Sequence, residues 1–145
     1  MIFTPESINL IRSGAKTQTR RPVKGRDHRT HYNAGNGWVY EVARGDRLQW
    51  CVGRTYAVCP GRGKHQVGRI LLKAIRCEPV AEICHTDAMA EGLRWNDDGI
   101  ACYGTRTIPG AGILTDAYLA LWRTMYPKSD LTELVWVLEF EMVEP

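Results

Sequence analysis

Residues 134–143 read "LVWVLEFEMV". Leu134, Trp136, Leu138, Phe140 and Met142 alternate there with Val135, Val137, Glu139 and Glu141. A period of two over ten residues, rich in β-branched and aromatic types, predicts a long strand with an apolar face committed to a core. Upstream, Thr115 stands at a helix start, Tyr118, Leu121, Trp122 and Met125 follow at i, i+3, i+4 and i+7, and Pro127 closes the run. That stripe reads as core rather than as a binding face. Further back lie short strand candidates at 38–42, 47–52, 55–59 and 67–77, with a Gly45-Asp46 turn between the first two. Thr4-Pro5-Glu6 opens a short helix carrying Ile8 and Ile11 that stops at Gly14, and Thr86 can cap a helical turn that ends at Gly92. Residues 23–37 read as a basic loop ending in "NAGNG", and 93–112 as a long glycine-rich loop. The order is helix, several strands, helix, strand, without a βαβ rhythm. It predicts an α+β fold: a small β-barrel of about five or six mostly antiparallel strands, flanked by short helices.

The chain has 145 residues, 44% of them hydrophobic and 24% charged. That length suits one domain over 1–145, and that composition suits a packed core. The apolar runs fall far short of the roughly 20 residues that span a bilayer, and Glu6 stands where a signal peptide would be apolar, so a cytoplasmic protein without membrane contact is expected. Five cysteines, at 51, 59, 77, 84 and 102, include no C-x-x-C pair, and reduced, mostly buried thiols are expected. His28, His31, His65 and His85 lack ligand spacing, so no structural metal site is expected. No cofactor is required; a Mg²⁺ or Mn²⁺ ion held by Asp97, Asp98 and Glu91 is the one candidate, although "NDDG" reads first as a turn.

Charge is unevenly distributed. Residues 1–76 hold 15 Lys/Arg against 4 Asp/Glu, and residues 77–145 hold 4 against 12. Arg12, Lys16, Arg20, Arg21, Lys24, Arg26 and Arg29 are opposed locally by Asp27 alone. Either this cluster makes a positive field able to hold a polyanion, or the acidic half folds back and neutralises it.

The centre of the cluster is "GAKTQTRRP", residues 14–22, which begins where the first helix ends. It is not a P-loop, because Ala15 separates its glycine from its lysine; "GRGKH" at 61–65 fails too, with Val58 at the leading glycine position. The 60–65 loop remains a candidate for polyanion contact. On a regular strand Lys16 and Thr19 would face opposite sides, so a shared site requires the segment to bend after Gly14.

Gly14-x-Lys16-x-x-Thr19-x-Arg21 is similar to the G-x-K-x-x-T-x-R motif of ASCH domains, relatives of the PUA-like RNA-binding barrels. "GRTYAVCPGRGK", "GRILLKAIR", "DAMAEGL" and Trp122 with "LVWVLEFE" resemble that family in order and spacing. The resemblance implies a PUA-like barrel with the motif lining a cleft and the glutamate before glycine, Glu91, across from it. It also implies RNA binding or RNA processing. For a bacterial branch it implies an amidohydrolase that removes acyl groups from the exocyclic nitrogen of cytidine through a lysine, a threonine and a glutamate, here Lys16, Thr19 and Glu91.

The residue chemistry is compatible. A lysine beside other cations and shielded from water is suited to act as a base, Thr19 to attack or hold the attacking water, Glu91 to pass a proton to the leaving group, and Arg21 to receive an oxyanion or phosphate. For RNA, Arg20, Lys24, Arg26, Arg29, Arg62, Lys64 and Arg69 are candidate phosphate contacts, and Tyr32, Trp38, Tyr56 and Trp95 candidate stacking residues. Three readings follow. The cationic surplus favours a small hydrolase of single-stranded RNA, the complete trio keeps an amidohydrolase of a modified nucleoside close, and a non-enzymatic RNA-binding module is the third.

Overall fold

The protein is described by a computed structural model covering residues 1–32, 35 and 38–144, with His31 and Tyr32 by backbone only. Tyr32 as a stacking residue and most of "NAGNG" therefore lie outside the described side chains. Thr4 caps helix α1 (Pro5–Arg12), its hydroxyl accepting from the Ser7 N–H at 3.2 Å, and Gly14 at φ 81° releases the chain. After that turn comes strand β1 (Gln18–Pro22), then β2 (Asp27–Tyr32), β3 (Trp38–Arg44), β4 (Arg47–Cys51), β5 (Thr55–Val58) and β6 (Gly68–Pro79). A short 3₁₀ turn leads into α2 (His85–Ala90). Strands β7 (Leu93–Trp95), β8 (Ala101–Tyr103) and β9 (Arg106–Ile108), helix α3 (Leu114–Met125) and strand β10 (Leu134–Glu144) complete the chain.

Seven strands form one sheet in the order β1-β10-β6-β3-β2, with β4 on β3 and β5 on β6, all antiparallel. The fold is α+β as expected. The main sheet holds seven strands rather than five or six, and its described pairings do not close it into a barrel. Residues expected to be loops carry strands: β2 occupies 27–32, and β7, β8 and β9 form a separate small sheet within 93–108.

Strand β10 lies between β1 and β6, and both faces of its 135–138 stretch are buried. Val135 and Val137 pack with α2, α3 and the small sheet around Trp122, Leu114 and Tyr118, whereas Trp136 and Leu138 pack with Val42, Trp50 and Ile75. Two-sided burial explains why residues 135–138 carry no polar face. Phe140 joins a third cluster with Phe3, Ile8 and Ile11, which seats α1 against the sheet. Helices α2 and α3 begin one residue before the threonines expected to cap them, after Cys84 and Ile113, without a side-chain cap. Among the described residues no helix is long and apolar enough to cross a membrane. The cysteines are free, four of them half-buried and Cys84 exposed.

Candidate active site

The bend between α1 and β1 is built from backbone hydrogen bonds. Lys16 N–H donates to the Leu10 carbonyl at 3.0 Å, and Thr17 N–H to the Ala90 carbonyl at 2.8 Å. The second bond ties the motif to the end of α2, so Lys16 meets Glu91. Its ammonium lies 2.7 Å from Glu91 Oε1 and donates to the Glu91 carbonyl at 3.0 Å, with only 5% of Lys16 and 2% of Glu91 exposed. Lys16 thus serves both as counter-ion and as a cation on the last carbonyls of α2. Gly92 follows at φ 111°. A Cβ there would meet Leu10 Cδ1 at 3.1 Å and Tyr103 Cε2 at 3.2 Å, so the glutamate is followed by the one residue that fits both the conformation and the space.

Lys16, Thr19, Arg21 and Glu91 all line one cleft of about 170 Å³, together with Ser7, Tyr103 and Tyr118. Three consecutive residues of β1, the edge strand of the sheet, line it: Thr19, Arg20 and Arg21. Thr19 is buried, and among the described residues its hydroxyl has no hydrogen-bonding partner. Arg21 donates to the Ile2 carbonyl at 2.8 Å and lies over the Phe3 ring at 5.0 Å, leaving further N–H groups free. Burial lowers its pKa, and it remains a cation at any ordinary pH. Ser7 and the Tyr103 hydroxyl share a hydrogen bond of 2.5 Å on the opposite wall.

Arg20 departs from expectation. Its side chain is fully buried, paired with Glu78 at 2.8 Å, Asp87 at 3.2 Å and Glu91 Oε2 at 3.6 Å, and it donates to Gln18 at 2.6 Å. It cannot serve as an open phosphate contact, because three carboxylates already claim its charge. Burial alone would lower its pKa, but Glu91, Tyr118 and Glu78 outweigh that and raise it. Arg76 joins the network on Asp87 and Glu78.

None of Lys24, Arg26, Arg29, Arg62, Lys64, Arg69 and Tyr56 lines the cleft. Lys24, Arg26, Arg29, Arg62 and Lys64 lie on exposed surface elsewhere, and Arg69 is held by Thr55 and Gln66. Tyr56 is no stacking platform: its body packs against two core clusters and its hydroxyl accepts from Cys51 N–H at 2.7 Å. Asp97 and Asp98 sit exposed in the β7–β8 turn while Glu91 is buried on Lys16, so the suggested metal carboxylates are not brought together. Among the described residues no group of three or more His, Cys, Asp or Glu side chains is placed to hold a metal ion.

Two solved structures share this architecture. A protein of family DUF984 from Enterococcus faecalis superposes with a TM-score of 0.55 at 14% identity, over 97% of this chain and 71% of that one. An ASCH domain from Lactobacillus crispatus superposes with a TM-score of 0.54 at 15% identity, over 100% of this chain and 79% of that one. The fold is that of an ASCH domain. No protein-family model matches the sequence, and no curated protein matches it either.

Within the ASCH fold, sequence reasoning missed Tyr118, Tyr103 and Arg106 as cleft residues. Tyr118 was assigned to the core, and it is buried, but its ring also packs 5.7 Å from the Arg20 guanidinium. Burial, then the Glu91 carboxylate, pushes its hydroxyl well above its ordinary range. A tyrosine in an otherwise apolar helical stripe is the signal that could have found it, since a buried hydroxyl needs a polar neighbour.

Proposed function

We propose that this protein is a small-molecule amidohydrolase whose substrate is an acylated nucleobase. One observation carries the reading: the 2.7 Å Lys16–Glu91 couple and Thr19 line one small cleft, from which nearly all the candidate phosphate contacts are absent. About 170 Å³ is below the roughly 300 Å³ at which pockets for drug-sized ligands begin, and suits one ring with a short acyl arm.

The chemistry is addition of water across an amide. Thr19, or a water on its hydroxyl, attacks the acyl carbon, and the Lys16–Glu91 couple takes the proton. Arg21 N–H groups donate to the oxyanion. As the C–N bond breaks, the couple returns the proton to the departing exocyclic nitrogen; attack by water gives the carboxylate at once, whereas attack by Thr19 leaves an acyl-threonine ester that one water then hydrolyses. The resemblance to ASCH amidohydrolases favours acetylcytidine as the first substrate to try.

Purified protein should consume acetylcytidine, releasing acetate and cytidine, and Glu91→Gln should abolish release. Undiminished turnover in Glu91→Gln, or no turnover by the native chain, defeats the assignment. A second reading, RNA binding, is supported by an open depression of about 820 Å³ lined by Arg26, Arg44 and Arg47 with one carboxylate, Asp46, although Arg44 is already paired with Asp27. It requires affinity for single-stranded RNA to fall with salt, at a log–log slope of about −0.7 per phosphate contacted. A flat response removes it.

A further inference from the structure

Two buried polar atoms of the cleft residues have no hydrogen-bond partner: Arg20 Nε and Glu91 Oε2. Such groups are costly to leave unpaired, and in a cleft they mark where ligand atoms go. One donates and the other accepts, so the inner end suits an uncharged group with an acceptor beside a donor, as on an aminopyrimidine edge.

The mouth has a different character. Arg106 lines it from β9, exposed, and among the described residues it has no ion pair or hydrogen bond. Arg21 lines the cleft from β1, with one N–H committed to Ile2 and its remaining donors assigned to the acyl oxyanion. Lys16 and Arg20 are already met by Glu91, Glu78 and Asp87. The surplus of the cleft is therefore Arg21 and Arg106 against Glu6 alone. A base seated inward leaves its sugar at the mouth, and the anion that a sugar carries is a phosphate.

We infer that the cleft takes a nucleoside monophosphate, with its base against Arg20 and Glu91 and its phosphate held by Arg106. This rests on reading the cleft as a nucleobase pocket. Planar guanidinium forks are well matched to a terminal phosphate, whose oxygens accept in pairs.

Calorimetric titration with cytidine and with cytidine 5′-monophosphate tests it, on the native chain and on Arg106→Ala and Arg106→Glu. The native chain should bind the monophosphate about tenfold more tightly than cytidine, the scale of one charge-assisted contact. The ratio should fall to about one in Arg106→Ala and invert in Arg106→Glu, as expected when one rim cation is deleted or reversed. Equal affinities in the native chain, a ratio unmoved by either variant, or binding of neither compound overturns the inference. Turnover of acetylcytidine is scored separately. Selective binding without deacylation supports the phosphate site and defeats the amidohydrolase; deacylation with equal binding of the two compounds does the reverse.

Discussion

Lys16 is a buried cation, and its value to the fold is bound up with Glu91. Removing one partner of such a pair leaves an uncompensated charge, whereas replacing both by neutral groups of similar size is often nearly neutral. Lys16→Ala should therefore destabilise the protein by about 3 kcal/mol or more, while Lys16→Met combined with Glu91→Gln should lie within about 1 kcal/mol of the native chain. Both should be inactive. Urea unfolding of the two proteins checks this, and a fully stable Lys16→Ala would mean that the 2.7 Å contact carries no energy. Lys16 lies outside every apolar periodicity of the sequence, so nothing in the pattern marks it as buried. Burial of a lysine by a turn that closes on a distant helix leaves no periodic trace. Arg20 was hidden for the same reason: its partners Glu78, Asp87 and Glu91 lie 58 or more residues away in the chain.

At the scale of elements, legibility followed length. Strand β10 and helix α3 carry enough residues for their periods to show, and both were placed to within a few residues. Strands β7, β8 and β9 have three residues each, too few for alternation to stand out from the glycines around them. The stop of α2 was readable at Gly92, and its structural reason is now explicit. At φ 111°, with Leu10 and Tyr103 within 3.2 Å of a hypothetical Cβ, Gly92→Ala combines left-handed backbone strain with overpacking. A loss of about 2–5 kcal/mol is expected, the sum of roughly 1–2 for the backbone and 1–3 for the crowding. Because Lys16 Cβ lies 3.6 Å from the same point, turnover should fall as well. A Gly92→Ala protein with native stability and native turnover would show that the turn has room the structure does not display.

At the scale of the molecule, the basic first half and the acidic second half are joined by ion pairs at and beside the cleft. Lys16, Arg20, Lys73 and Arg76 pair with Glu91, Glu78, Asp87 and Glu141, so the acidic half does fold back on part of the cationic cluster. Acid should undo this in a defined window. Burial alone would raise the Asp87 pKa, but hydrogen bonding from Gln18 and the charges of Arg76 and Arg20 outweigh it and hold the carboxyl below its ordinary value of 3.8. Asp27 is likewise lowered, with burial outweighed by Arg44, the Lys24 N–H and Trp136. For a carboxyl whose folded pKa is depressed, the stabilisation is complete above the unfolded value and is lost as pH falls through the folded one. Stability should thus hold from neutrality to about pH 5 and drop below about pH 4, and Asp87→Asn should make that drop shallower. General repulsion offers a competing cause, because protonating 16 carboxylates leaves 19 Lys/Arg and four His unopposed. Salt separates the two: it screens repulsion among exposed charges, whereas the partly buried contacts of Asp87 are screened far less. If added salt abolishes the acid loss, or if Asp87→Asn unfolds with the same pH slope as the native chain, the Arg20–Asp87–Arg76 network is not what joins the two halves.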